Sequence, residues 1–169
     1  MNLTLIENLK SLVSDERRIT SQILEHLEAI EKKRLYFELG YSSLYLFLRQ
    51  ECRYSEGQAY RRIEAMRVTK GEPELREKIK TGILNVSVLA TASRFLKKSR
   101  VPKKQVLAQL ENKSQKETLE LFQKLDPERA LLLDADARDQ IWVFERGANA
   151  PLLPRLIALA QQLVLRVGP

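Results

Sequence analysis

Through the first 125 residues the apolar side chains recur every three or four positions, and no stretch alternates at the two-residue period of a strand. That pattern confines the chain to helix packed on helix. Leu3, Ile6, Leu9 and Leu12–Val13 form a first short stripe. Ile19, Ile23–Leu24, Leu27 and Ile30 form a second, with Asp15 as its N-cap, running to about Leu39 and stopping at Gly40. Lys32, Lys33 and Arg34 fall in its last turns, where cations suit the helix dipole. Ser42 or Ser43 caps a third helix carrying Leu44, Phe47 and Leu48. Ser55 opens a fourth, and Gln58 three residues on completes a Ser-x-x-Gln capping box. Its inward positions are Ala59, Ile63 and Met66, with Tyr60 on the flank. Pro73 starts a fifth helix that reaches Thr81 and is closed by Gly82; Asn85 caps a sixth, Val86 to Leu96; Pro102 opens a seventh. Ser114 and Glu117 form a second capping box, for an eighth helix that buries Leu119, Phe122 and Leu125. The fold class expected is all-α, a multi-helix bundle over residues 1–126.

After Asp126 the composition changes. Residues 1–126 contain 13 Lys; residues 127–169 contain none, and no Ser, Thr, Tyr or Met either. Residues 127–169 therefore read as a compositionally distinct appendage, with a short strand at Gln140–Phe144 and an apolar helix at Leu152–Val167. It is either a separate unit or translated sequence foreign to the bundle, as a frame change in the gene would produce. The apolar groups of that last helix must bury somewhere, either within the chain or as the contact of a homodimer.

Residue counts exclude several chemistries. One cysteine, Cys52, leaves no internal disulfide and suits a reducing, cytoplasmic setting. One histidine, His26, cannot supply a Cys/His zinc site, and on its helix it reads as a solvated or core-edge side chain. Asp134, Asp136 and Asp139 lack the Gly and terminal Glu of a calcium loop and read as a solvated turn. No secretory signal opens the chain, and Leu152–Val167 is too short and too polar to span a bilayer. No cofactor, metal or membrane partner is expected.

The formal net charge of +7 is concentrated. Residues 49–104 hold 15 basic and 6 acidic side chains, while the segments on either side are near neutral. A localised positive field is the electrostatic footprint of a polyanion binder. Within it, the third helix, a tight turn at Arg53–Ser55 and the capped fourth helix have the layout of a helix-turn-helix. With Ala59, Ile63 and Met66 inward, Gln58, Arg61, Arg62 and Ala65 face outward. Gln can pair two edges of adenine and Arg two edges of guanine. Lys97, Lys98, Arg100, Lys103 and Lys104 cluster between the sixth and seventh helices and suit phosphate contacts. A packed helix pair and a solvated basic loop are the competing readings of these two features.

Several short motifs between Leu27 and Leu125 carry a resemblance. They are Arg34-Leu35-Tyr36, Gly40-Tyr41-Ser42-Ser43, the run Tyr54-Ser55-Glu56-Gly57-Gln58-Ala59-Tyr60-Arg61-Arg62-Ile63, Pro73-Glu74-Leu75 and Gly82-Ile83-Leu84-Asn85. In that order they resemble the helical N-terminal module of a bacterial family of HNH-endonuclease-like proteins. Ser55 to Ala92 is similar, more loosely, to the helix-turn-helix core of ParB/KorB-type partition proteins. Both resemblances imply DNA binding, with double-stranded DNA as the partner. In the first family a His- and Asn-rich metal-binding nuclease half follows the module. This sequence has no His after His26, so the resemblance implies the recognition half without the cutting half, and not an enzyme. The reading from another class is a helical protein-interaction or dimerisation module.

Overall fold

Nothing between Leu3 and Lys33 breaks a helix, for the stretch contains neither Gly nor Pro. In the computed structural model, which describes residues 3–133, it forms one continuous helix, α1 (Leu3–Lys33). The N-cap expected at Asp15 is not there: its carboxylate lies mid-helix and accepts from Arg18 Nη2 at 3.1 Å. Arg34, at φ 53°, ends α1, and α2 (Leu35–Glu38) follows at once. Gly40 at φ +84° then turns the chain toward α3 (Leu44–Gln50), with Ser43 Oγ accepting from Leu46 N.

The remaining helices are α4 (Glu56–Thr69), α5 (Pro73–Lys80), α6 (Val86–Leu96), α7 (Lys103–Ala108), α8 (Gln115–Leu125) and α9 (Pro127–Leu131). No strand occurs among the described residues, so the chain there is all-α. The expected capping boxes form at Ser55/Gln58 and Ser114/Glu117, and Asn85 Oδ1 accepts from Val88 N. No helix among the described residues is long and apolar enough to cross a membrane.

α4 is the centre of the bundle. It packs most extensively on α6 and also meets α1, α3 and α5. Ala59, Tyr60, Ile63, Ala65, Met66 and Val68 are all buried along it. Ala65, expected on the outer face, is fully buried, because α4 is packed on by four other helices and that side of it is covered. Tyr60, expected on the flank, is buried as well. On α8 the buried line runs through Thr118 and Phe122, whereas Leu119 stays exposed. That choice follows Phe95 of α6, whose ring stacks on Phe122 with centroids 4.1 Å apart.

The composition break after Asp126 is not a break in packing. Asp126 Oδ1 caps α9 by accepting from Arg129 N at 3.1 Å, and Leu133 reaches the core. Arg129 is buried, donating to the carbonyls of Phe95 and Arg94 at the end of α6. The strand and helix expected at Gln140–Phe144 and Leu152–Val167, the Asp134–Asp139 turn and the proposed C-terminal dimer contact lie outside the described residues.

Phe95→Ala should remove the stacked ring that anchors α8 and leave a cavity. The expected cost is about 3–5 kcal/mol, read as a lower midpoint in a urea melt followed by circular dichroism.

Candidate nucleic-acid interface

The connection from α3 to α4 is built by local side-chain bonds. Arg53 adopts φ 60°, and Tyr54 N returns to Leu48 O at 3.1 Å. Arg49 clamps the turn, donating to Tyr54 O at 2.7 Å and to Glu56 Oε1 at 3.3 Å. The clamp fixes the direction in which α4 starts. The first two turns of α4 expose Glu56, Gln58 and Arg61, and the last turns expose Arg67, which is held by Glu64 and Glu31.

The three α4 residues expected to face DNA have different fates. Arg61 is exposed and makes no hydrogen bond or ion pair with any described residue. Its guanidinium folds over Gly57, where a Cβ would meet Nη1 at 3.0 Å. Arg62 is half-buried: its Cζ lies 4.2 Å from the centre of the Tyr54 ring, and Nη1 donates to Gln58 O at 3.4 Å. Gln58 is exposed, but its Oε1 accepts from Ser55 N at 3.0 Å in the capping box. A bidentate pair with adenine needs that same oxygen.

Arg61 shares a hollow with Gly57, Tyr60, Ser87, Thr91 and Arg94. Arg94 comes beside Arg61 across the α4–α6 contact, and no spacing within one helix reveals that proximity. Its Nη atoms donate to Leu133 O at 3.1 Å and Thr91 Oγ1 at 3.3 Å. It therefore brings charge to the hollow rather than an open fork.

The lysine-rich bend divides into two parts. Lys97 and Lys103 line a second hollow together with Arg67 and Val68. Lys97 Nζ sits 2.9 Å from Glu64 Oε2, and Lys103 Nζ sits 3.2 Å from Glu72 Oε1. Lys98 and Arg100 line a third hollow that also holds Asp126 and Glu128. Lys104 is exposed and has no hydrogen bond or ion pair with any described residue. Glu64 is three residues beyond Arg61 on α4, an axial step of about 4.5 Å, so Lys97 enters the assembly within one helical turn of Arg61.

Glu64 was missed entirely by the sequence reading. It is fully buried, yet both carboxylate oxygens are satisfied. Ser93 Oγ donates to Oε2 at 2.6 Å, and Lys97 Nζ and Arg67 Nη1 bind Oε1 at 3.0 and 3.1 Å. Arg67 also reaches Glu31 of α1 at 3.4 Å. At the far end of the bend, Asp126 titrates below its ordinary 3.8, chiefly because Arg129 N–H donates to the carboxylate. Ser99 and the Arg100 N–H add to this, together with the Arg100 charge.

Among the described residues no group of three or more His, Cys, Asp or Glu converges as a metal site. His26 is exposed, its Nδ1 2.8 Å from Gln22 O. No family model, no curated protein and no solved structure matches this chain.

Two outcomes follow from these contacts. Glu64→Ala should cost about 2–3 kcal/mol, since it removes hydrogen bonds to charged partners and leaves Ser93 without one; denaturant titration measures it. Asp126 has a depressed folded pKa, so its contribution is present above 3.8 and is lost as pH falls through the folded value. Acidification from pH 6 to 3 should lower the thermal midpoint, and the drop should be smaller in Asp126→Asn.

Proposed function

We propose that this chain is a helical DNA-binding module in which α3, the clamped turn and α4 act as a helix-turn-helix on duplex DNA, without nuclease chemistry of its own. The observation that carries the reading is Arg61. It is an exposed guanidinium with no hydrogen bond or ion pair to any described residue, in the first turns of a helix that other helices largely cover. A recognition helix meets the major groove with its N-terminal residues, and Glu56, Gln58 and Arg61 in the first turns of α4 are exposed. Arginine is also the side chain best suited to a paired contact with guanine.

The remaining residues take graded roles. Lys104 contacts phosphate outright. Lys98 and Arg100 do so from the rim that they share with Asp126 and Glu128. Lys97 and Lys103 are held by carboxylates and contribute field more than contact. Arg62, stacked on Tyr54, stiffens the turn. Gln58 reads a base only at the expense of its capping bond. The resemblance to the recognition half of HNH-endonuclease-like proteins points the same way.

Fluorescence anisotropy with a labelled duplex at several salt concentrations tests this. With Arg61, Lys98, Arg100 and Lys104 engaged, log K should fall against log salt with a slope of roughly −3 to −4. Lys104→Ala should flatten the slope by about 1. Arg61→Ala should weaken binding by about 1–3 kcal/mol. Magnesium or manganese should produce no strand cleavage. Binding that is indifferent to salt and to Arg61→Ala rejects the reading.

A further inference from the structure

α1 is longer than the body it belongs to. Its second half is anchored: Ser21, Leu24 and Leu27 are buried, Ser21 Oγ donates to Arg76 O at 3.2 Å, and Glu28 pairs with Arg76. Further toward the N-terminus, the Arg17 guanidinium lies against Gly82, and Val13 is half-buried. Beyond Arg17, residues 3–16 continue as helix for about 20 Å with no buried residue.

This free half is not a polar helix. Leu3, Leu5, Leu9 and Leu12 are each 60–67% exposed, Ile6 is exposed with them, and Ile19 just past Arg17 extends the exposed line. Leu5, Leu9, Leu12 and Ile19 fall at steps of four, three and seven, the spacing of a two-helix seam, with Glu16 the one polar member at the intervening position. An isolated helix of about this length is marginal in water, so the segment needs a surface to lie on.

We infer that the free half of α1 is a self-association arm, and that its occupant is the same arm of a second copy. Three observations select that occupant. The six side chains leave roughly 600 Å² of apolar surface open, as much as the largest patch a monomer normally tolerates. With the flanking backbone and polar groups, the arm approaches the ~800 Å² per partner of a standard interface. Residues 3–16 carry three acidic side chains and one basic, so two arms meet with only a small mutual charge, whereas residues 49–104 carry a formal +9 that keeps the bodies apart. A two-fold contact requires a self-complementary patch, and an apolar stripe facing its own copy is one. The inference does not rest on DNA binding.

Sedimentation equilibrium of the full chain at micromolar concentration reads the outcome. The parent chain should be a dimer. Leu9→Glu combined with Leu12→Glu should weaken self-association at least tenfold while circular dichroism still shows the folded helical body, since neither side chain is buried. Leu131→Glu, exposed but outside the arm, should remain dimeric. A monomeric parent overturns the inference, because the arm is then covered within its own chain or by another partner. A dimer that survives the double substitution overturns it as well, by placing the contact elsewhere, including residues 152–167.

Discussion

A carboxylate with no access to water sits between the two helices that form the heart of this bundle. Glu64 on α4 is held by Ser93 of α6, by Lys97 at the C-cap of α6 and by Arg67 one turn along its own helix, and Arg67 extends the chain of charges to Glu31 on α1. Apolar residues of similar volume would hold three helices together as well as these charges do. The carboxylate adds a single permitted alignment, because its oxygens are satisfied only when Ser93 and Lys97 stand opposite it. That alignment sets Arg61 beside Ser87 and Arg94 one turn earlier. It also brings the start of the lysine-rich bend close to α4.

The same arrangement explains how a basic sequence becomes a less basic surface. Residues 49–104 hold a large excess of Lys and Arg, but several of these cations are committed inside the fold. Lys97 and Lys103 neutralise Glu64 and Glu72, Arg49 braces the turn before α4, and Arg76 binds Glu28. The charge that reaches solvent is carried by fewer groups, concentrated at the open end of α4 and at the outer part of the bend. A count of basic residues overstates the number of phosphates such a surface can engage.

Features decided within a few residues were legible from the sequence. Ser43, Ser55, Asn85 and Ser114 cap the helices at which they stand, since a hydroxyl or amide meeting the third amide onward needs no tertiary information. Asp15 had the same chemistry but lies inside α1, where no Gly or Pro ends the preceding turns. Features decided across helices were not legible. Ala65 and Leu119 exchange inside for outside because of what packs on α4 and α8, and Glu64 has the spacing of an ordinary flank residue. At the candidate site, the exposure of Arg61 could be anticipated from the stripe it does not belong to. The capture of the Gln58 oxygen by its own cap was implicit in the Ser-x-x-Gln motif that identified the helix.

Arg129 gives the change in amino-acid usage after Asp126 an unexpected meaning. Its guanidinium closes off the terminal carbonyls of α6, and Leu133 a few residues later fills a core position. Where a lysine-free vocabulary begins, the architecture has not yet finished. Whatever the ancestry of the distal part, its opening residues have become the keystone of the helix that carries Arg94. A cut made at Asp126 for dissection or grafting would therefore strip Arg129 and Leu133 from the body that they complete.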